Sequence, residues 1–276
     1  MEKEIILSAS HLKKSFRTGK KGLHIGKKGS HTGDNNLVHA VDDVSLEVIK
    51  GETLALVGES GCGKSTLARL LMRMINSDEG SIYFEGKEIS HLSERKMRPY
   101  RKKMQMVFQD PASSLDPRMK IRDIIAEPLI AWNVYDSKAK RDDRILELLN
   151  LVDLREDCLD RYPHQFSGGQ RQRIGIARAI ALNPDLLICD ESVSALDVCV
   201  QAQILNLLKS LKQQMGLTCL FISHDLAVVS FIADRVVVMK NGRICEMAPA
   251  SQIYSNPGHE YTKYLLSSVP RIKEYD

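Results

Sequence analysis

No stretch of eighteen apolar residues occurs anywhere in the chain, so it is expected not to cross a bilayer as a helix itself. The opening segment MEKEIILSAS lacks a basic region followed by a long apolar core, which argues against a secretory signal. Aromatic residues make up only 5% of the sequence, and tryptophan occurs once. The six cysteines, at 62, 158, 189, 199, 219 and 245, include no C-x-x-C pair and no histidine at metal-ligand spacing. They read as small buried apolar side chains in a reducing compartment. A net charge of +4 is too small to indicate nucleic-acid binding. Its placement is uneven: residues 1–36 carry eight Lys/Arg against three Asp/Glu, so the body of the chain is nearly neutral.

What the sequence does have is a core. Hydrophobic residues reach 43% of 276, enough for one large domain or two small ones. Residues 17–36, RTGKKGLHIGKKGSHTGDNN, are rich in Gly and Lys and nearly free of large apolar groups. That segment reads as a mobile basic insertion, either solvated or in contact with acidic headgroups or a partner subunit. Beyond it, residues 44–48 alternate apolar and polar, and 53–57 (TLALV) form a continuous apolar run. Both are strand signals. Further strands are predicted over 81–84, 103–107, 186–189, 218–222, 236–239 and 243–246, the last pair joined by a tight turn at Asn241-Gly242. Helices are predicted over 65–75 and 198–215. Alternating strands and helices imply an α/β fold with a mostly parallel sheet covered on both faces. Residues 111–165 interrupt the alternation. Ile145, Leu148, Leu149 and Val152 stand at helical spacing, and Pro128 and Pro163 punctuate the section, so it is expected to form a helical subdomain.

Two segments carry chemistry. Residues 58–65, GESGCGKS, match G-x-x-x-x-G-K-[ST] in full, after a strand and before a helix. Glycines let backbone N–H groups approach phosphates, and a helix N-terminus adds partial positive charge. Lys64 supplies a full charge to the β- and γ-phosphates and Ser65 a hydroxyl for Mg²⁺; Gly58, Ser60, Gly61, Cys62, Gly63 and Thr66 complete the nucleotide-binding loop. Cys62, lying in this loop, is expected to react with thiol reagents when no nucleotide is bound. Residues 186–191, LLICDE, form an apolar strand ending in two carboxylates. Asp190 is placed for Mg²⁺ and its waters. Glu191, one residue on, projects elsewhere and suits a general base for the attacking water.

Further segments narrow the group. FSGGQ at 166–170 resembles the LSGGQ signature of ABC ATPases, with Phe166 for Leu. Gln109 after MQMVF resembles the Q-loop glutamine, a catalytic and metal-facing position. His224 in FISHD resembles the switch histidine, and SALD at 194–197 the D-loop that ends in Asp197. Phe16 resembles the aromatic that stacks on adenine, although it lies 48 residues before Lys64, a long gap explained by the 17–36 insertion. The resemblance implies a P-loop NTPase (RecA-like) core, an N-terminal antiparallel β subdomain and an α-helical signature subdomain, with a cassette over residues 4–250 and an extension over 251–276. It also implies that Ser167, Gly168, Gly169 and Gln170 of one subunit close on ATP held by another.

The phrasing GESGCGKST, FQDPASSLDP, YPHQFSGGQ and IYSNP is similar to the dipeptide/oligopeptide/nickel importer branch, in particular its second ATPase subunit. Cys199 stands where Ser is expected and Glu260 where Pro is common. The implied cofactors are ATP and Mg²⁺. Some relatives hold an iron–sulfur cluster on C-terminal cysteines; with Cys245 alone in that region, none is expected here. The implied partners are a paralogous ATPase, two transmembrane permease subunits and an extracytoplasmic substrate-binding protein, with the chain peripheral to the cytoplasmic face of the cell (inner) membrane. A nickel or metal-chelate cargo stays open, and an ABC ATPase in translation or DNA repair is the remaining alternative. A nucleic-acid partner is not expected.

Overall fold

The computed structural model describes residues 4–17 and 37–268. Most of the basic insertion read from the sequence lies outside the described residues, as does the chain after Ser268.

Two sheets organise the molecule. The first is antiparallel, in the order β2-β1-β4-β5, from β1 (Ile5–Arg17), β2 (Leu37–Ile49), β4 (Glu79–Phe84) and β5 (Lys87–Glu88). The second has six strands: β3 (Thr53–Val57), β6 (Met104–Val107), β7 (Leu186–Asp190), β8 (Thr218–Ser223), β9 (Arg235–Lys240) and β10 (Arg243–Pro249). Their order is β10-β9-β3-β8-β7-β6, all neighbours parallel except the β9–β10 hairpin.

The continuous apolar runs have a direct structural cause. In β3, Ala55 and Val57 enter one hydrophobic cluster with Leu187, Cys189, Phe221 and Val238. Leu54 and Leu56 enter a second with Ile188, Leu220, Ile222 and Val237. The parallel sheet is thus buried on both faces, and alternation disappears from its strands. The second cluster also takes in the antiparallel sheet and α1 (Lys64–Leu71).

The first cluster is closed by a helical layer. It comprises α4 (Ile121–Ala131), α5 (Lys138–Leu151), α6 (Gly168–Ile180), α7 (Val198–Met215) and α8 (Leu226–Ile232). Two short helices, α2 (Glu94–Lys103) and α3 (Pro111–Ser114), precede it, and α9 (Ala250–Ser255) and α10 (Glu260–Ser267) end the described chain. The stripe Ile145, Leu148, Leu149 and Val152 is buried, each residue 1% exposed or less.

Two expectations change. Pro128 lies inside α4 and does not end a helix. Burial of Ile121, Ile124, Ile125 and Leu129 on that helix outweighs the one backbone hydrogen bond a proline forfeits. The strand read at 44–48 is also longer. It starts at Leu37 and pairs with β1 as far as Arg17, so the insertion separates the two arms of one antiparallel pair.

Candidate active site

The phosphate-type loop leaves β3 at Val57 and enters α1 at Lys64. Gly58 and Gly63 have φ of 153° and 108°, a region that L side chains adopt at a cost. A Cβ on Gly58 would lie 2.2 Å from the Met239 carbonyl oxygen, and one on Gly63 2.0 Å from that of Ala40. The loop is therefore wedged between β9 and β2. Gly63→Ala is expected to lower stability by about 1–3 kcal/mol and to weaken ATP binding, read from thermal melting and nucleotide titration.

Lys64 is 4% exposed. Its Nζ donates to the carbonyls of Gly58 (2.8 Å) and Glu59 (2.9 Å), and lies 4.0 Å from Glu191 Oε1. No side chain caps the N-terminus of α1, which leaves first-turn N–H groups for an anion. Ser65 Oγ donates to Asp190 Oδ1 at 2.9 Å. Burial pushes the Asp190 carboxyl up, and the Ser65 hydrogen bond acts against it. A hydroxyl and a carboxylate side by side are hard oxygen donors. With phosphate oxygens and water they fit Mg²⁺, which rarely takes an all-protein cage.

Glu191 adopts φ of +45°, in the left-handed region that costs a non-glycine residue about 1–2 kcal/mol. Its N–H donates to Ile222 O (3.0 Å), and its carbonyl accepts from Ser194 Oγ, so the turn is pinned. The turn carries the Glu191 side chain away from Asp190 to Gln109, whose Nε2 donates to Oε2 at 3.0 Å. His224 Nδ1 lies 3.7 Å from the same oxygen. The glutamine, the switch-like histidine and the candidate base, far apart in sequence, thus meet at one carboxylate.

The cleft in front of these groups measures about 420 Å³ and is lined by Ser60, Gly61, Gly63, Lys64, Ser65, Thr66, Gln109 and Glu191. Sequence reasoning missed the rest of its wall: Val38, His39 and Ala40 of β2, and Asn241 and Gly242. By local sequence Asn241-Gly242 signals only a turn. In the fold, Gly242 N donates to Cys62 O (2.9 Å) and its carbonyl accepts from Asp42 N (2.8 Å), contacts that no local pattern encodes. Phe16 does not line the cleft. It pairs with the lining residue Val38 and is 43% exposed, with Lys14 Nζ 5.7 Å from the ring centroid.

Ser167, Gly168, Gly169, Gln170 and Asp197 lie outside this cleft and form a second cluster. Ser167 caps α6: its Oγ accepts from Gln170 N, while Gln170 Oε1 accepts from Ser167 N. Asp197 caps α7 by accepting from Val200 N at 3.0 Å. A Cβ on Gly169 would sit 2.3 Å from Val200 Cγ1, so the two helix starts pack together. Val198, 80% exposed, and Cys199 stand beside them.

Cys62 corrects the reactivity expectation. The residue is 8% exposed and belongs to the second hydrophobic cluster. Burial raises its thiol above the usual range, so little thiolate is available. Cys199 is exposed, contrary to the general reading of the cysteines as buried. A maleimide is expected to label Cys199 quickly and Cys62 slowly, with or without nucleotide, as read by mass spectrometry.

Comparisons with known proteins agree with this arrangement. Residues 41–194 match the family profile of the ABC transporter, and residues 245–276 that of the oligopeptide/dipeptide transporter, C-terminal region. The chain is 48% identical to the oligopeptide transport ATP-binding protein OppF of Bacillus subtilis, over 97% of this chain and 83% of that one. It is 46% identical to the dipeptide transport ATP-binding protein DppF of Lactococcus lactis, over 98% and 82%. Among solved structures it is similar to a dimeric ATP-binding cassette, MJ0796, in a post-hydrolysis state bound to ADP and Pi. That likeness has a TM-score of 0.75 at 28% identity, covering 89% of this chain and 99% of that one.

Proposed function

The chain belongs to the ABC transporter family, and on that premise we propose that it is the ATP-hydrolysing subunit of an importer of di- and oligopeptides. The observation that carries the reading is that Lys64, Ser65, Gln109 and Glu191 line one cleft behind a glycine loop, with Asp190 bonded to Ser65 and His224 3.7 Å from Glu191.

The residues divide the work. The loop N–H groups and the Lys64 ammonium hold the β- and γ-phosphates. Mg²⁺, when bound at Ser65, Asp190 and Gln109, supplies charge neutralisation on those phosphates. Glu191 accepts a proton from water as the water oxygen bonds to the γ-phosphorus. The bond from that phosphorus to the bridging oxygen of ADP breaks, giving ADP and phosphate. Gln109 holds the Glu191 carboxylate in place at 3.0 Å, and His224 stands beside it for the γ-phosphate. Phe16, outside the cleft lining but paired with the lining residue Val38, is the residue assigned to stack on adenine.

The second cluster needs a partner. Ser167, Gly168, Gly169, Gln170 and Asp197 lie away from this chain's own cleft, so they serve ATP held by a second, paralogous cassette. The permease subunits dock at a groove of about 370 Å³ beside the edge strand β6, lined by Met72, Met104, Met106, Phe108, Glu127 and Pro128. Among the described residues no helix is long and apolar enough to cross a membrane. In this reading the permease subunits hold the chain as a peripheral subunit on the cytoplasmic face of the cell membrane. A substrate-binding protein outside completes the machine. Match to the oligopeptide/dipeptide C-terminal region favours peptide over nickel as the cargo.

Affinity purification of the tagged chain from its native membrane tests this reading. Two membrane subunits, a second cassette and a peptide-binding protein are expected to come with it. Ribosomal or DNA-repair proteins without membrane subunits would overturn it.

A further inference from the structure

The C-terminal extension reaches the nucleotide loop. Tyr261 of α10 is 5% exposed, and its Oη accepts from the backbone N–H of Glu59 at 3.3 Å. That N–H belongs to the Gly58–Glu59 peptide group, whose carbonyl oxygen accepts from Lys64 Nζ at 2.8 Å. One peptide group is therefore held between the Lys64 ammonium on its oxygen and the Tyr261 phenol on its nitrogen. Lys240 Nζ lies 4.4 Å from the Tyr261 ring centroid and fixes the ring from the β9 side.

The extension is itself anchored. Glu246 of β10 accepts from Gly258 N (2.7 Å), His259 N (3.0 Å) and Thr262 Oγ1 (2.5 Å). Burial pushes the Glu246 carboxyl up, but these hydrogen bonds together outweigh it and hold it below its ordinary value, so the latch is charged at neutral pH. Tyr254 of α9 donates to Leu226 O at 2.6 Å, two residues past His224. The extension thus bonds both to the glycine loop and to the start of α8.

We propose that Tyr261 is a positioning residue of the nucleotide site, fixing the Gly58–Glu59 peptide and through it the Lys64 ammonium, so that the C-terminal extension forms part of the ATP-binding apparatus. The inference rests on the ATP reading above. Tyr264, 60% exposed and stacked on Tyr261 at 6.4 Å, makes the control, because its ring touches the same helix without reaching the loop.

The test is ATP binding and steady-state hydrolysis by the full chain as wild type, Tyr261→Phe and Tyr264→Phe. Tyr261→Phe keeps the ring and removes one hydrogen bond. It is expected to raise the Kd and KM for ATP about two- to tenfold, with kcat within about twofold and an unchanged thermal midpoint. Tyr264→Phe is expected to match wild type. Unchanged ATP affinity in Tyr261→Phe, or an equal shift in both variants, would overturn the inference while leaving the ATP reading intact. A wild-type chain that binds no ATP would remove both.

Discussion

Glu191→Gln is expected to reduce kcat for ATP hydrolysis by roughly 10²–10⁴-fold with ATP affinity nearly unchanged. The amide keeps the shape of the carboxylate and one carbonyl oxygen, so the Gln109 Nε2 contact, now 3.0 Å, has an acceptor still. The pinned turn at Glu191, with its hydrogen bonds to Ile222 and Ser194, does not involve the side chain and stays in place. What disappears is the basic oxygen that takes the water proton. Steady-state phosphate release, measured beside equilibrium binding of a fluorescent ATP analogue, separates the two effects. Turnover at the wild-type rate would remove Glu191 from the role of base.

Lys64→Ala has the opposite signature. It removes the ammonium charge placed for the β- and γ-phosphates and also leaves the Gly58 and Glu59 carbonyls without the donor they have at 2.8 and 2.9 Å. Hydrogen bonds to charged groups contribute about 1.5–3 kcal/mol each, so losing the phosphate contacts is expected to weaken ATP binding by roughly 10²–10³-fold. Titration of the variant with ATP checks this. Affinity within a few-fold of wild type would mean that the loop amides alone hold the nucleotide.

The parts that could be read from sequence share a physical property: their signal is local. Residues 53–57 and 186–189 read as buried strands because both faces of their sheet are covered. Residues 198–215 form α7 from end to end, with the Asp197 cap at one end and Gly216 in the left-handed conformation at the other. The glycine loop stands between β3 and α1, and Asp190 ends β7 with Glu191 next in the chain, as the sequence pattern predicts. The parts that could not be read depend on distant pairing. Tyr261 meets Glu59 across 202 residues, and Ala40 meets the loop glycine Gly63 through an antiparallel pair whose arms the basic insertion separates. Cys62 departs from its expected exposure for a related reason. Its loop position suggested exposure, but the direction of its side chain is set by β9 and the core beneath, where Gly58 approaches too closely to Met239 for any Cβ.

Peptide accumulation by liposomes that carry the membrane complex purified on this chain, with ATP on the cassette side, joins the chemistry to the transport. The expected result is uptake of a labelled oligopeptide that requires ATP and the substrate-binding protein and falls to background when the complex carries Glu191→Gln. Uptake that persists without ATP, or that is unchanged by Glu191→Gln, would contradict the assignment of this chain as the motor.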